Sequence, residues 1–279
     1  MKKKKFDEVV RNHLSKYNKG NDGWYRNRGG YRHILYLPEE CKTDKELFIK
    51  KQKEIVFNFG LITPAKIYPF FLDGHLHTLA HHLTSSQIMC YNFFRPLINE
   101  KGIPTPQLIK LFKFICPNLE LDESSIARFE YQEEGEGTNF DFILHTNSIK
   151  IYCEIKYTEE DFAKQCKTKT EKHFQNQYSD MIAECSHLWK TEVKEDDFMN
   201  HYFQLFRNVI RARTDNDYVL FICPKDRDDL KESFDSFKKI YLKDDIQNIQ
   251  YVYWESLIEN AKKIGVDVSE FEGRYFMYK

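Results

Sequence analysis

Residues 138–157 contain two neighbouring segments in which apolar side chains occupy every second position, and this pair constrains the fold more than any other part of the chain. In the first segment these side chains are Phe140, Phe142 and Leu144. In the second they are Ile149, Ile151, Cys153 and Ile155. A period of two predicts β-strands, here over about 138–145 and 149–157. The short polar stretch 145–148 is typical of a turn, so the two strands are expected to form a hairpin.

Three of the charged side chains on these two strands are placed to form one group. Glu154 and Lys156 are two residues apart, and side chains with that spacing share one face of a strand. A hairpin would place Asp141 on the neighbouring strand, within reach of Glu154. The spacing therefore predicts one site with two carboxylates and one ammonium group.

These residue types suit metal-dependent hydrolysis of a phosphodiester. Mg²⁺ prefers oxygen ligands and is commonly held by one or two carboxylates, with water and substrate phosphate as the remaining ligands. A bound metal lowers the pKa of its water and clamps the attacking and leaving oxygens. A lysine beside it can orient the water, accept its proton, or stabilise developing negative charge.

Glu154 and Lys156 also have a simpler interpretation, because opposite charges are ordinary on the exposed face of a hairpin. Taken alone, this short motif favours that interpretation. The flanking segments favour a site instead. A third strand is predicted over 126–131, followed by an acidic turn that contains Gly135 and Gly137, and helical patterns begin near 159.

The stretch from about 75 to 225 resembles the PD-(D/E)XK nuclease superfamily, which has the restriction-endonuclease-like fold. The sequence LTSSQ at 83–87, followed by YNFFRPL at 91–97, resembles a helix before the core strands in one bacterial group of proposed restriction endonucleases. The sequence HYFQLFRN at 201–208 resembles the helix after the Glu-x-Lys strand in that group. Phe140 stands where the motif usually has proline, which is its most dispensable part.

The resemblance implies roles for the residues that match the motif. Asp141 and Glu154 would be metal ligands, and Lys156 would position water or stabilise the transition state. The carbonyl group of Ile155, between these two residues, would be a further ligand. Glu130 on the preceding strand is a candidate extra carboxylate, and a surface glutamate beside the acidic turn is an equally good interpretation.

Polar residues on the flanking helices are also candidates. The resemblance places Gln204 on the following helix, where it would reach the site as a catalytic residue. Ser86 and Gln87 would approach from the preceding helix. For all three, a helix cap or a hydrogen-bonded buried amide is the alternative interpretation.

Charge is unevenly distributed along the chain. Residues 1–55 contain 15 Lys and Arg against 8 Asp and Glu, whereas the remainder contains 27 against 35. A basic segment suits contact with phosphate, which does not depend on base sequence. Candidate nucleic-acid-binding residues are therefore Arg26, Arg28 and Arg32, which lie among aromatic residues, with Lys164 and Lys167 after the site strand. A solvated basic surface is the alternative for both groups.

The seven cysteines form no Cys-x-x-Cys pair, and several lie in apolar surroundings. They are expected to be buried free thiols in a reducing compartment. The N-terminal lysine run is not followed by an apolar stretch, and no segment is long and apolar enough to span a membrane. These observations predict a cytoplasmic protein with no membrane partner.

The expected architecture is an α/β restriction-endonuclease-like fold, a mixed sheet flanked by helices with a basic N-terminal extension. Residues 1–70 would form the extension and 71–279 the nuclease-like domain. Helices are predicted over 105–116, 170–189, 197–213 and 227–241, and later strands over 218–223 and 249–253. They follow helical crossovers, so they are expected to pair parallel to the Glu-x-Lys strand.

The expected function is Mg²⁺-dependent DNA endonuclease activity of a restriction or defence type, with Mn²⁺ able to substitute. DNA would be the partner, with a homodimer, a methyltransferase or another defence protein as further candidates. Two alternatives stay open: a repair or resolving nuclease with the same site, and a non-catalytic DNA-binding module that kept the fold.

Overall fold

The computed structural model describes residues 3–17, 26–27, 35–36, 84–99, 101–132, 139–159, 162 and 171–278. In chain order, the helices and strands are α1 (Lys3–Tyr17), β1 (Arg26–Asn27), β2 (Leu35–Tyr36), α2 (Ser86–Phe94), α3 (Pro106–Phe112), β3 (Ile126–Gln132), β4 (Asn139–His145), β5 (Lys150–Ile155), α4 (Glu171–Gln177), α5 (Ser179–Glu184), α6 (Phe203–Val209), β6 (Asp217–Cys223), α7 (Asp228–Tyr241), β7 (Ile249–Tyr253), α8 (Trp254–Lys263) and α9 (Ser269–Tyr275). A 3₁₀ turn, Arg95–Leu97, follows α2, and a π-helical turn, Asp197–His201, precedes α6.

Strands β3 to β7 form one mixed five-stranded sheet in the order in which they occur in the chain. Strands β3, β4 and β5 pair antiparallel, whereas β5 pairs parallel to β6, and β6 parallel to β7. The parallel pairing follows from the helices between these strands, because each helix returns the chain to the end of the sheet at which the previous strand began. The expected α/β class, mixed sheet and parallel later strands are confirmed.

Strand β5 was expected to have one apolar face, but in the structure residues on both of its faces are buried. Its apolar residues are buried, but Tyr152 and Glu154 on the opposite face are only 2% and 5% exposed. Strands in the parallel part of a sheet are covered on both faces, because the crossover helices pack there. Glu154, and Lys156 directly after β5, therefore lie in the protein interior rather than on a solvated hairpin.

The turn between β4 and β5 closes by local hydrogen bonds. The backbone N–H of Thr146 donates to the carbonyl of Ile149 at 2.9 Å, and the N–H of Ile149 donates to the Thr146 hydroxyl at 3.1 Å. Asp122 accepts a further bond from the N–H of Asn147 at 2.9 Å. These bonds set the register that places β4 and β5 side by side.

One face of the sheet packs against an aromatic core built on α6 and α7. Helix α7 buries Leu230, Phe234, Phe237 and Tyr241, a spacing that places all four on one helical face. The ring of Phe206 on α6 lies 4.9 Å from that of Phe237, edge to face. This packing fixes α6 against the sheet, on the face that carries Glu154.

Two of the predicted helices are interrupted. The helix expected over 170–189 is divided into α4 and α5, and the helix expected over 197–213 begins as the π-helical turn and ends at Val209. Helix α9 had not been predicted. The helix opened by Pro106 is confirmed, with the Thr105 hydroxyl accepting from the N–H of Leu108, although it ends at Phe112.

The chain divides into two compact units, one of residues 122–254, which contains the sheet, and one of residues 3–121 with 255–279. In the second unit, α1 buries Phe6, Val10 and Leu14, one helical turn apart. Helix α9 contacts α2, where the amide of Asn92 donates to the Tyr275 hydroxyl at 2.8 Å.

Several expectations concern parts of the chain outside the described residues, including the boundary at residue 70, which stays a prediction. Five cysteines are described, and all are free and buried, as expected: Cys90, Cys116, Cys153, Cys185 and Cys223. Within the described ranges, every helix is too short or too polar to cross a bilayer.

Candidate active site

The antiparallel register of β4 and β5 brings Asp141 and Glu154 together. Phe142 pairs with Cys153, so the preceding residue of β4 lies opposite the following residue of β5. Asp141 Oδ2 accepts a hydrogen bond from the backbone N–H of Ile155 at 2.7 Å. The Asp141 carboxylate is thereby held against the end of β5, beside the Glu154 side chain.

Lys156 completes this group from the same strand. Its Nζ lies 3.0 Å from Oε1 of Glu154, and the two residues are 8% and 5% exposed. The backbone N–H of Lys156 donates to the carbonyl of Ile222 at 3.0 Å, which extends the parallel pairing one residue beyond β5. The Lys156 ammonium also lies 5.9 Å from the ring centre of Phe162.

Helix α6 supplies two amide side chains to the same carboxylate. The Gln204 amide donates to Oε1 of Glu154, and the Asn208 amide donates to Oε2 at 3.1 Å. Asn208 is fully buried. Both oxygens of Glu154 therefore accept hydrogen bonds from one helical face, because residues four apart lie on the same side of a helix. The carboxylate is fixed in orientation.

Glu130 lies in β3 at the position opposite Asp141, between the pairs Phe129–Phe142 and Tyr131–Phe140. Its φ angle is 48°, the left-handed region that non-glycine residues rarely adopt. Such a conformation costs roughly 1–3 kcal/mol and persists only where the surrounding structure enforces it. Strained residues of this kind cluster at functional sites, so the strand geometry supports a role for Glu130 beside Asp141.

The electrostatics reflect this crowding of carboxylates. Burial, together with the charges of Glu154 and Glu130, raises the pKa of Asp141 well above its usual value, against the opposing effects of the Ile155 N–H and Lys156. For Lys156, burial alone would lower the pKa, but Glu154 and the other nearby carboxylates outweigh it and the pKa is raised. Lys156 is therefore a positive charge at neutral pH rather than a free base.

The donor set fits a divalent cation with hard-oxygen preference. Asp141 and Glu154 offer carboxylate oxygens from two adjacent strands, and Glu130 lies on the next strand. Among the described residues, these three side chains do not bring three ligand atoms within 4.8 Å of one another, whereas Asp196, Asp197 and His201 do. Burial and, after it, repulsion from Glu154 and Glu130 raise the pKa of Asp141, and a cation between the carboxylates would offset that repulsion. Two donors, Gln204 and Asn208, already hold Glu154 in place, which is how outer partners orient metal ligands.

The site roles predicted for other residues stay predictions. Ile155 contributes its N–H to Asp141, and ligation by its carbonyl stays a prediction. Ser86 and Gln87 begin α2 in the other compact unit. Arg26 lies in β1, paired with Tyr36. Four further candidates lie outside the described residues: Arg28, Arg32, Lys164 and Lys167.

Two residues of the site, Asn208 and Glu159, were not predicted from the sequence. Asn208 lies four residues after Gln204, so the helical period could have identified it as sharing the same face. Glu159 accepts a bond from the N–H of Tyr157 at 2.8 Å, and its charge contributes to the raised pKa of Lys156. No periodic signal identified Glu159, because it lies in the irregular segment after β5.

Comparison with known proteins gives one family. The model of the family described as Restriction Endonuclease associating with ARP matches residues 11–276, nearly the whole chain. No curated protein and no solved structure gives a significant match. The matched range includes both the hairpin and the helix that hold Glu154.

Proposed function

The chain belongs to the restriction endonuclease family whose model it matches, and from this premise we propose that it cleaves DNA by metal-dependent phosphodiester hydrolysis. The family description suggests a nuclease. The metal dependence and the assignment of the site to the PD-(D/E)XK type are our proposals.

One observation carries the proposal: the arrangement around Glu154. Two amides of α6 and the Lys156 ammonium all contact its carboxylate, while Asp141 is held against the same strand end by the Ile155 N–H. Burying charged groups is costly unless they are paired or coordinate a metal. A structural ion pair needs only Glu154 and Lys156, and it does not account for the neighbouring carboxylates of Asp141 and Glu130.

The side chains have distinct roles in this proposal. Asp141 and Glu154 hold Mg²⁺, or Mn²⁺ in its place, and Glu130 supplies a further carboxylate beside them. The cation, when bound, activates a water and neutralises charge on the phosphate. Lys156, which contacts Glu154, donates to a phosphate oxygen or to the attacking water and stabilises the charge that develops. Gln204 and Asn208 hold Glu154 in its ligating orientation.

We assign the biological role to restriction or defence because of the family, and we propose a cytoplasmic location, where DNA is the substrate. A second copy of the chain would favour cleavage of both strands, with two sites facing one duplex. A methyltransferase or another defence protein would be the natural partner of such an enzyme.

The test is cleavage of a pooled set of plasmid and phage DNAs, modified and unmodified, with Mg²⁺ or Mn²⁺. Wild type is compared with Asp141→Ala and Lys156→Ala. We expect metal-dependent cleavage by wild type and its loss in both variants. Asp244→Ala and Lys190→Ala are matched controls, because they remove the same charges from an exposed ion pair of 3.2 Å in the same unit.

The fragment ends would show whether cleavage is sequence-specific. Retained DNA binding without cleavage by wild type, with either metal and on every DNA, would contradict the proposal and favour a non-catalytic DNA-binding module. Equal cleavage by Asp141→Ala and its Asp244→Ala control would show that the nuclease site lies elsewhere.

A further inference from the structure

A cavity of about 360 Å³ lies at the opposite end of β5 from the candidate active site. It is lined by the turn between β4 and β5, by Lys150 and Tyr152 of β5, and by the loop that leads from α6 into β6. All of these segments belong to the unit that contains the sheet. Because a strand rises about 3.3 Å per residue, Lys150 at this end of β5 lies roughly 13 Å along the strand from Glu154, so the charged lining of the cavity is separate from the carboxylate site.

The charges that line the cavity are mainly positive. Arg211, Arg213 and Lys150 contribute three cations, and Asp217 contributes one carboxylate, so the lining has a formal charge of +2. Oδ2 of Asp217 already accepts bonds from the backbone N–H and the hydroxyl of Thr214, at 2.9 and 3.0 Å. These two bonds hold the Asp217 carboxylate against the loop. The net positive charge of the lining favours binding of an anion.

Arg211 is the least exposed of the three cations, at 3%. A buried guanidinium presents several N–H donors in a planar fork that matches the oxygens of a phosphate. Arg213 is exposed and lies 3.9 Å from Glu184, and an exposed ion pair of this kind contributes only about 0–1 kcal/mol.

The walls of the cavity are held by hydrogen bonds, so the site is built before a ligand arrives. The N–H of Lys150 donates to the carbonyl of Asn216 at 3.1 Å, which ties the start of β5 to the loop. The amide of Asn248 donates to the carbonyls of Thr214 and Asp217 at 3.2 and 2.8 Å. Preorganisation of this kind lowers the entropy cost of binding.

We propose that this cavity binds a small phosphorylated ligand, with its phosphate held by Arg211, Arg213 and Lys150. A phosphate monoester carries nearly two negative charges at neutral pH, which matches the charge of the lining. The volume is that of a small-molecule site, which is typically about 300–1,000 Å³. The low exposure of Arg211 favours a ligand that enters the cavity over a duplex that lies across the surface.

The test uses the full chain and isothermal titration calorimetry with inorganic phosphate, AMP and a short DNA duplex without terminal phosphates. We expect binding of phosphate and AMP by wild type, weakened about tenfold or more in the Lys150→Ala/Arg213→Ala double variant. The control is the double variant Lys190→Ala/Lys243→Ala, which also removes two positive charges, but from exposed positions outside the lining. Arg211→Met probes the buried cation, with its melting temperature measured alongside.

Tighter binding of AMP than of phosphate would identify a nucleotide as the ligand, and equal affinities would identify free phosphate; both support the site. No binding of either at millimolar concentration would overturn the proposal. Equal weakening in the double variant and the control, or binding of the duplex alone, would also overturn it. Because the readout is binding rather than cleavage, the result does not depend on the proposed nuclease activity.

Discussion

The side-chain amide of Asn208 donates to Oε2 of Glu154 at 3.1 Å, and this bond joins helix α6 to the strand that carries the candidate site. Asn208 is fully buried, and Gln204, one turn earlier, contacts the other oxygen of the same carboxylate. The Glu154 side chain is therefore oriented by residues that lie 50 or more positions away in the chain.

Replacing Asn208 tests whether this orientation matters for metal-dependent cleavage. Asn208→Ala leaves Oε2 of Glu154 without one of its donors, and loss of such an outer partner typically reduces metal affinity or activity by about 10- to 100-fold. We expect the midpoint of the Mg²⁺ dependence of cleavage to rise. Asn176→Ala, at an exposed position of helix α4, is the matched control and should leave the midpoint unchanged.

If Asn208→Ala altered only the melting temperature and not the Mg²⁺ midpoint, Asn208 would be a structural residue of the core. Asn208→Gln or Asn208→Asp would separate these effects further. The aspartate adds a negative charge beside Glu154 and should weaken cleavage more than alanine does.

Asp141→Asn should stabilise the protein in the absence of metal. The pKa of Asp141 is raised by burial and by Glu154 and Glu130, so ionisation of this group costs stability as pH rises from its usual value through the folded-state pKa. At neutral pH the asparagine variant should gain roughly 0.5–2 kcal/mol in the free energy of unfolding. Chemical denaturation in EDTA at pH 4 and pH 7.5 measures this, with a larger gain expected at pH 7.5.

A comparison of wild type with Asp141→Asn also tests metal binding. Mg²⁺ should raise the melting temperature of wild type and leave that of Asp141→Asn nearly unchanged, because a ligand stabilises only the form that binds it. A variant less stable than wild type at pH 7.5, or one with an undiminished Mg²⁺ shift, would show that Asp141 is not a repelled carboxylate of a metal site.

Asp229→Asn should destabilise the protein through Arg227. The fully buried Arg227 guanidinium donates to both Asp229 oxygens at 2.8 and 2.7 Å and to the carbonyl of Tyr157 at 2.8 Å. Because Asp229 is partly exposed, we expect a loss of about 1–3 kcal/mol in the free energy of unfolding rather than the full cost of an unpaired buried charge. The control Asp235→Asn, at an exposed residue, should change the free energy of unfolding by less than about 0.5 kcal/mol.

The effect of Asp229→Asn should depend on pH. Burial raises the pKa of Asp229, but the bonds from Arg227 outweigh burial and hold the pKa below 3.8. The carboxylate therefore contributes its stability above pH 3.8 and loses it as pH falls through the lowered pKa. The difference between wild type and variant, measured by urea denaturation, should be constant near neutrality and shrink below about pH 4. A difference that grows on acidification would contradict this.

The five described cysteines should resist modification in the folded protein. Burial raises the pKa of the Cys153 thiol well above its usual value and that of Cys223 to about 12, and the thiolate is the reactive form. Iodoacetamide at pH 8, followed by peptide mass analysis, should leave these thiols unlabelled in the native state and label them in denaturant. Rapid native labelling of Cys153 would show that β5 is more open than the structure describes.

Local periodicity was sufficient to predict much of the fold. The period of two in β4 and β5 and the continuous apolar run of β6 identified the central strands, because the alternation of side chains is set within each strand. The same alternation placed Asp141, Glu154 and Lys156 near one another. The helix predicted over 227–241 corresponds to α7, Asp228–Tyr241.

Tertiary contacts decided the rest. Whether the Glu154 face of β5 would be solvated or covered depended on the packing of α6, which residues within β5 do not encode. The left-handed conformation of Glu130 and the cavity beside Arg211 likewise arise where separate segments meet. The sequence alone thus determined which residues could form a hairpin with two carboxylates and a lysine. Only the folded chain determined their burial, hydrogen bonds and charge, because these depend on segments brought together from distant positions.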